Sequence, residues 1–326
     1  MAVPPAALMA ASWLAPARER LLAAVRQDRV AHALLIQDVP GAGGEQLALW
    51  MAQLLLCLTP AAQGPCASCA GCISLHEHRH PDFTLIGLVE DSKQIRIEQV
   101  RELSAHLALA SHQGGYKVAL INPADALNWN AANALLKTLE EPPARTVLIL
   151  VAQQPSRLPA TILSRCQHLR LRAPEREPAL LWLTQFVGEG PWTAVLDVIG
   201  NAPLLAAQLD PRALLQVRDE TLAALGDLAS RRADAAQLAE AWNRSELGLR
   251  LACLENWLTE RIRRTLGAGT YSTEMRDGAH PARPDPRSNA PQLFDLLDQL
   301  RGLRAALATP VNRSLVLESL LRSLTV

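Results

Sequence analysis

The sequence predicts an α/β fold with a mostly parallel sheet, followed by a region built only from helices. Between Ala31 and Arg172, short β-type runs alternate with helical patterns, the spacing expected for βα units on a parallel sheet. After Ala173-Pro174 these runs stop, and the remaining chain is rich in Leu and Ala with the periodicity of amphipathic helices. A chain of 326 residues is long enough for two or three domains. We therefore expect a domain boundary near Pro174.

Within the α/β region each element has its own signal. The strand candidates are HALLIQ, DFTLIGL, KVALIN, TVLILVA and QHLRLR. Helical patterns separate them, and the helix that contains Leu135 and Leu139 is predicted to end at Pro142-Pro143, where helix continuation is sterically blocked.

The helical region divides again near Asp210-Pro211. The predicted domains are residues 1–173 (α/β), 174–210 (small helical) and 211–326 (all-helical). From Gly267 to Pro291 the chain is rich in Gly, Pro, Ser and charged residues, which predicts a mobile loop between two helices.

Composition excludes some classes of function. Lys plus Arg equals Asp plus Glu at 32 each, so no whole-protein field attracts a polyanion. Seven Trp, two Tyr and three Phe without regular spacing offer little for base stacking. No run approaches the roughly 20 apolar residues of a membrane span. The start of the chain, Met1 to Ala11, lacks the basic leading region of a secretory signal. We expect a cytoplasmic protein without a membrane partner.

Four cysteines within a short segment predict a metal site. They are spaced C-x8-C-x2-C-x2-C, so one loop can place four thiolates around a tetrahedral ion, about 2.3 Å from each sulfur in the case of zinc. Gly64, Pro65 and Gly71 are predicted to form tight turns between the ligands. The predicted ligands are Cys57, Cys66, Cys69 and Cys72. Because four thiolates leave no open position, we expect a structural zinc site.

Other occupants and ligands stay open at this point. An iron–sulfur cluster also uses four cysteines, but the C-x3-C-P continuation of common ferredoxins is missing. His76, His78 or His80 could replace one cysteine as a ligand, although solvated or capping roles are favoured. Cys166 and Cys253 are interpreted as ordinary buried thiols.

A glycine-rich loop follows the first predicted strand. In IQDVPGAGGEQL, residues 36–47, the context is that of a loop whose N–H groups bind phosphate. A working loop ends in Gly-Lys-Ser/Thr, where Lys contacts the β and γ phosphates and the hydroxyl binds Mg²⁺. With Gly41 and Gly43 aligned, those two positions are Gly44 and Glu45. The Glu45 carboxylate would repel a triphosphate, so ATP is not expected to bind.

A second nucleotide motif is also incomplete. The strand from Lys117 to Ile121 would end in Asp-Glu in an active ATPase, but it continues as Asn122-Pro123-Ala124-Asp125. Asn122 is a weak metal ligand and Pro123 has no carboxylate. Two motifs have therefore lost their catalytic groups, which favours a degenerate ATPase over a plain α/β turn.

The stretch NALLKTLEEPP, residues 133–143, with TVLILVA and LPATILSRCQHLRL behind it, closely resembles the AAA+ modules of bacterial DNA polymerase III clamp loaders. The resemblance extends from about His32 to Arg172 and more thinly to Leu209. It implies an AAA+ P-loop-type sheet with a zinc insertion, a helical lid domain and a helical collar for oligomerisation. Because the phosphate loop is degenerate, the chain is similar to the non-catalytic δ′ members rather than to the motor subunits.

This resemblance implies roles for particular residues. Ser164-Arg165-Cys166 matches an element whose arginine, here Arg165, acts as a finger in a neighbouring subunit's ATP site; a guanidinium suits a γ-phosphate. A lid-domain arginine of the family is replaced at Gly200-Asn201-Ala202-Pro203.

The implied partners are γ/τ motor subunits and δ in a hetero-pentameric ring, with the sliding clamp and primed DNA contacted through the complex. No intrinsic ATPase is expected, and the subunit would be part of the DNA-directed DNA polymerase (nucleotidyltransferase) holoenzyme. The alternatives are an active AAA+ ATPase resembling the γ/τ motor and a stand-alone zinc module for nucleic acid. An active ATPase would need an intact phosphate loop, whereas the loop of this chain is degenerate. The neutral net charge argues against a stand-alone module for nucleic acid.

Overall fold

The structure of the full chain is a computed structural model. It describes residues 10–77, 79–89, 92–112, 114–265, 290–306 and 313–324. Two compact units are formed, one by Met1–Glu189 with Asn201–Gln208 and the other by Gly190–Gly200 with Leu209–Val326. No helix among the described residues combines the length and apolar character needed to cross a membrane.

The first unit is built on a parallel sheet. Its strands are β1 (Ala33–Gln37), β2 (Phe83–Ile86), β3 (Lys117–Ile121), β4 (Thr146–Ala152) and β5 (Gln167–Arg170). They lie in the order β2-β3-β4-β1-β5, and every pairing is parallel. All five strand predictions are confirmed. Because the strands are parallel, the segments that follow β1, β3 and β4 all leave from one edge of the sheet, where ligands bind in open α/β folds.

Helices surround this sheet and form the whole of the second unit's regular structure among the described residues. In chain order they are α1 (Ala15–Arg26), α2 (Gly44–Leu56), α3 (Ala70–His76), α4 (Ile97–Ala108), α5 (Trp129–Glu140), α6 (Ala160–Leu163), α7 (Arg176–Phe186), α8 (Trp192–Ile199), α9 (Pro203–Ala206), α10 (Pro211–Ala229), α11 (Ala235–Arg244), α12 (Leu247–Thr265), α13 (Ala290–Ala306) and α14 (Arg313–Ser323). Short 3₁₀ turns lie at Ser12–Leu14, Ala124–Ala126 and Pro155–Arg157.

The core of the first unit explains why the central strands lack polar alternation. β3 and β4 are buried along their whole length, as expected for strands covered on both faces. On one face of the sheet, α4 and α5 pack together through buried Leu103, Leu107 and Leu135. As predicted, α5 ends before Pro142-Pro143.

The second unit is helical throughout its described residues. Helices α10 to α14 share an apolar core that includes Trp242, Leu254, Leu258, Leu300 and Leu317. The change to all-helical structure after Pro174 is confirmed for the residues described. α10 begins at Pro211 with Asp210 as its N-cap, whose Oδ1 accepts from Arg212 N at 2.9 Å.

The division into domains 1–173, 174–210 and 211–326 stays a prediction. Of the predicted loop from Gly267 to Pro291, residues 267–289 lie outside the described residues, and α13 begins at Ala290.

Candidate functional site

The glycine-rich loop has the predicted position. It connects β1 to α2 at the carboxyl edge of the sheet, and α2 begins at Gly44. Gly41 (φ 72°) and Gly43 (φ 104°) adopt left-handed backbone conformations, which L side chains rarely adopt. In an ATPase the N–H groups at such a helix start would face phosphate.

A carboxylate of the chain itself occupies this helix start. Asp38 Oδ1 accepts a hydrogen bond from Gly44 N at 3.0 Å. A Cβ atom at position 44 would lie 2.4 Å from Asp38 Cγ, so the Asp38 side chain and a side chain at position 44 exclude each other. Position 44 is where a phosphate-binding loop carries its lysine. The sequence reasoning missed Asp38; the side chain of Glu45, on which it relied, is exposed in the first turn of α2.

Burial of the Asp38 carboxyl raises its pKa to about 6. Hydrogen bonds from the backbone at Gly44 and Val39 lower the pKa, and the nearby Glu45 charge raises it. Burial outweighs the hydrogen bonds because removing an anion from water is costly. A second anion would therefore enter a site that already disfavours negative charge.

Two carbonyl groups of the loop also accept hydrogen bonds within the first unit. Trp13 Nε1 donates to Ala42 O at 2.8 Å, and Leu204 N donates to Gly41 O at 3.3 Å. A Cβ atom at Gly41 would lie 2.5 Å from Ala202 Cβ. Ala202, in the stretch that matches the family's lid-domain arginine element, thus packs directly against the loop.

The end of β3 provides no carboxylate. Asn122 follows the strand, and its N donates to Ile86 O at 2.9 Å. Asp125, in the next 3₁₀ turn, accepts from Gln154 N through Oδ2 at 3.0 Å. This carboxylate holds the turn that follows β4, so its visible role is structural.

Arg165 lies in the turn between α6 and β5. Its Nη2 is 2.8 Å from Glu140 Oε1, at the end of α5, and its Nη1 donates to Thr161 O at 3.0 Å. The Arg165 side chain is 36% exposed, so part of the guanidinium faces solvent. Glu140 lies in the NALLKTLEEPP stretch, but its contact with Arg165 was not predicted, because the two residues are 25 positions apart and belong to different elements.

The four predicted cysteine ligands lie together. Their Sγ atoms are all within 4.8 Å of one another, and the pairs Cys57–Cys66, Cys57–Cys69 and Cys66–Cys72 are separated by 3.5, 3.9 and 4.0 Å. Four sulfurs around one zinc at 2.3 Å would be about 3.8 Å apart. The donors therefore fit a tetrahedral thiolate-bound metal such as zinc. Among the described residues, these four cysteines are the side chains that lie close enough together to hold a metal ion.

Local hydrogen bonds favour the thiolate form of part of this cluster. Cys66 Sγ accepts from Thr59 Oγ1 and from Cys69 N, both at 3.3 Å. The Thr59 hydroxyl, followed by backbone N–H groups, lowers the pKa of the Cys66 thiol to about 5. Burial raises the pKa of Cys72. A bound cation would favour deprotonation of all four thiols, because metal coordination requires the thiolate.

The fold anchors the cysteine loop at both ends. Cys57 is the C-cap of α2, and Cys69 is the N-cap of α3, where its Sγ accepts from Cys72 N. At Gly64 (φ 149°), a Cβ atom would lie 3.1 Å from the Trp50 ring. The turn predicted at Gly71 is wrong: Gly71 belongs to α3, and it must be small because a Cβ there would lie 2.4 Å from Leu56 O.

None of the other histidines and cysteines among the described residues joins this cluster. His76 is exposed, His78 lies outside the described residues, and His80 is buried with Nδ1 accepting from Asp82 N at 3.1 Å. His80 is therefore not solvated, and its Nδ1 binds the backbone of the turn before β2. Cys253 is buried and Cys166 is partly buried; burial raises the pKa of each thiol to about 11.

The parallel sheet, the degenerate phosphate loop and the inserted four-cysteine site define an AAA+-type module. The family model described as DNA polymerase III, delta subunit, matches residues 15–175. DNA polymerase III subunit δ′ of Pseudomonas aeruginosa is 38% identical over 230 residues, 70% of each chain. The δ′ subunit of Escherichia coli K12 is 32% identical over 321 residues, 95% of this chain and 93% of the relative.

A more distant relative is subunit τ of DNA polymerase III from Escherichia coli K12, which is 35% identical over 145 residues, 44% of this chain and 22% of τ. The similarity to δ′ thus extends over far more of the chain than the similarity to τ. The chain belongs to the δ′ subunit family of DNA polymerase III. The predicted resemblance to bacterial clamp-loader proteins is confirmed.

Proposed function

We propose that this chain is the non-catalytic δ′ subunit of a DNA polymerase III clamp loader. It forms a hetero-pentameric ring with γ/τ motor subunits and δ, and through this complex it helps to load the sliding clamp on primed DNA during replication. The match to a δ′ subunit over 93% of its length supports this role. Polymerase activity belongs to the holoenzyme, and the cytoplasmic location stays a prediction.

The observation that carries the non-catalytic role is the contact of Asp38 Oδ1 with Gly44 N at 3.0 Å. An ATP phosphate would meet a carboxylate at the helix start, and like charges repel strongly in a partly buried site. Ala202 packs on Gly41 from the other side. These contacts support a chain that neither binds nor hydrolyses ATP. The active motor ATPase is not favoured, because the lysine, the hydroxyl and the acidic pair of such an enzyme are replaced.

Arg165 is proposed to act in trans. Its guanidinium carries a fixed positive charge and five N–H donors in a planar fork. Placed at a neighbouring subunit's ATP, it stabilises charge that develops on the transferred phosphoryl group. Partial exposure of Arg165, with its backbone fixed beside the buried Ile162, supports this role.

Zinc is the proposed occupant of the cysteine site. Cys57, Cys66, Cys69 and Cys72 would hold the ion, and four thiolates leave it without an open coordination position. The metal would supply structural cross-linking of the loop between α2 and α3. Three of the sulfur pairs are 3.5 to 4.0 Å apart and all four sulfurs lie within 4.8 Å of one another, which supports this assignment.

Reconstitution tests the proposed function. The chain is combined with motor and δ subunits, and ATP turnover stimulated by primed DNA and clamp is measured for wild type and Arg165→Ala. Arginine fingers in GTPase systems contribute about 10³- to 10⁵-fold at their own site, so we expect turnover to fall by at least about tenfold with ring assembly unchanged. Arg157→Ala, which removes another exposed arginine nearby, is the matched control and is expected to have wild-type turnover.

If the complex that contains Arg165→Ala hydrolyses ATP at the wild-type rate, Arg165 does not act as an arginine finger. Failure of the wild-type chain to enter a ring with these subunits would contradict the proposed role as a whole.

A further inference from the structure

The contact between Arg165 and Glu140 joins two segments that the core holds in place. Leu139, beside Glu140, is 2% exposed, and Ile162, in the helix before Arg165, is fully buried in the same apolar cluster. Cys166 also packs against this cluster. The backbone on both sides of the ion pair is therefore fixed, and only the two side chains can vary the position of the guanidinium.

The hydrogen bonds of Arg165 determine the orientation of its guanidinium plane. Glu140 Oε1 accepts from Nη2, and Thr161 O, in the preceding helical turn, accepts from Nη1. Ser164 Oγ is 3.4 Å from Nη1. Two anchors on different nitrogens fix the plane. Because a guanidinium has five N–H donors, these contacts leave Nε–H and the second hydrogen of Nη2 available.

Glu140 stands at an unfavourable place for helix stability. It is the last residue of α5, where the helix dipole presents its negative end and acidic side chains are disfavoured. An acid at this position needs a compensating cation, and Arg165 is 2.8 Å away. The position of Glu140 is therefore better explained by its ion pair with Arg165 than by a contribution to the stability of α5.

We infer that Glu140 is a positioning residue for the proposed arginine finger, holding Arg165 by one nitrogen so that the remaining donors point to a neighbouring subunit's ATP. This inference rests on the proposed function of Arg165. The pair is solvent-accessible, with side-chain exposures of 36% for Arg165 and 49% for Glu140. Exposed ion pairs are weak, so Glu140 orients the guanidinium without competing with a triphosphate.

The test uses the reconstituted loader and compares Glu140→Ala, Glu140→Gln, Arg165→Ala and the double variant Glu140→Ala/Arg165→Ala. We expect Glu140→Ala to lower kcat by about fivefold, the population change that an exposed ion pair can impose, with KM for ATP unchanged. Glu140→Gln, which can still accept from Nη2, is expected to retain at least half of the wild-type kcat. The double variant should have the kcat of Arg165→Ala alone. Glu141→Ala changes the adjacent exposed glutamate and serves as the matched control.

Each other outcome has a defined meaning. If Glu140→Ala has a wild-type or higher kcat while Arg165→Ala has a lowered kcat, the positioning role is wrong and the proposed function still holds. A further loss in the double variant also overturns it, because Glu140 would then act independently of Arg165. Wild-type kcat for Arg165→Ala instead contradicts the proposed function itself. Ring assembly measured by size-exclusion chromatography separates all of these from a folding defect.

Discussion

The two ends of helix α2 carry the two sites of the first unit, and they differ in what became of their ligand positions. At the N-terminal end, where the helix dipole favours an anion, Asp38 contacts Gly44 N. At the C-terminal end, Cys57 caps the helix and joins three further thiols within 4.8 Å. One end has its ligand position taken by the protein's own carboxylate, and the other keeps a complete set of donors for a cation.

This difference shows how a fold can lose a ligand without losing the element that bound it. At the start of α2 the Asp38 carboxylate still accepts from Gly44 N, so one backbone donor of this helix end has a partner in the absence of nucleotide. The cysteine end differs, because four thiols can all be deprotonated at close range only when a bound cation compensates their charge. We therefore expect damage to the cysteine end to cost more than damage to the loop end.

The largest effect is expected from Cys69→Ser. Loss of one thiolate should reduce zinc content from about one ion per chain to a small fraction and destabilise the loop between α2 and α3, because structural zinc contributes its binding free energy to folding. Elemental analysis and thermal unfolding, with and without a chelator, measure both effects. Ser68→Ala, an exposed change in the same loop, should keep the metal. Iron in the wild-type protein, or no metal, would contradict the zinc assignment.

A smaller effect is expected from Gly44→Ala. Because the new Cβ would lie 2.4 Å from Asp38 Cγ, the variant should lose about 1–3 kcal/mol of unfolding free energy through overpacking. In an Asp38→Gly background, which removes both the Cβ and the Cγ atoms that the new methyl group would meet, the same change should cost much less, and a double-mutant cycle in urea measures this. Gly226→Ala, in α10 with no atom within 4 Å of the new Cβ, should instead be neutral or stabilising. Equal costs in both backgrounds would show that Asp38 does not fill the loop.

The smallest effect concerns the charge of Asp38. Its pKa is about 6 in the folded chain, raised from 3.8 mainly by burial, so the folded state binds more protons than the unfolded state between these values. Stability must then fall as pH rises from about 4 to 6 and level off above that. Asp38→Asn keeps an acceptor for Gly44 N and removes the charge. The unfolding free energy of this variant should exceed that of wild type by about 1–2 kcal/mol at pH 7.5. The difference should shrink towards pH 4.

Urea unfolding of both proteins at several pH values measures this difference. A constant difference across the range would mean that the Asp38 carboxyl has an ordinary pKa and is not held in a buried position.

The elements of the first unit were predictable from the sequence because each has a local cause. Strands β1 to β4 are mainly apolar runs, β5 alternates polar residues with the buried Leu169, and α5 ends before Pro142-Pro143, a local steric effect. The role of Gly71 was misjudged because a glycine in a cysteine-rich loop suggests a turn. Its actual constraint is the approach of Leu56 O, a contact between two helices that no local pattern encodes.

The same distinction applies to the site. The cysteines were predictable from spacing alone, since one loop supplies every donor. The partners of the phosphate loop were not, because Ala202 meets Gly41 across more than 150 residues of chain. Asp38 was close in sequence, yet its contact with Gly44 N depends on the path of the turn between them. Glu140 reaches Arg165 only after α5 and α6 have packed.

The most direct test of the lost nucleotide site is calorimetric titration of the purified chain with MgATP. We predict no saturable binding tighter than about 1 mM, with a γ/τ motor subunit titrated in parallel as the positive control. Saturable binding with a micromolar dissociation constant would contradict the claim that Asp38 and Ala202 occupy the phosphate loop.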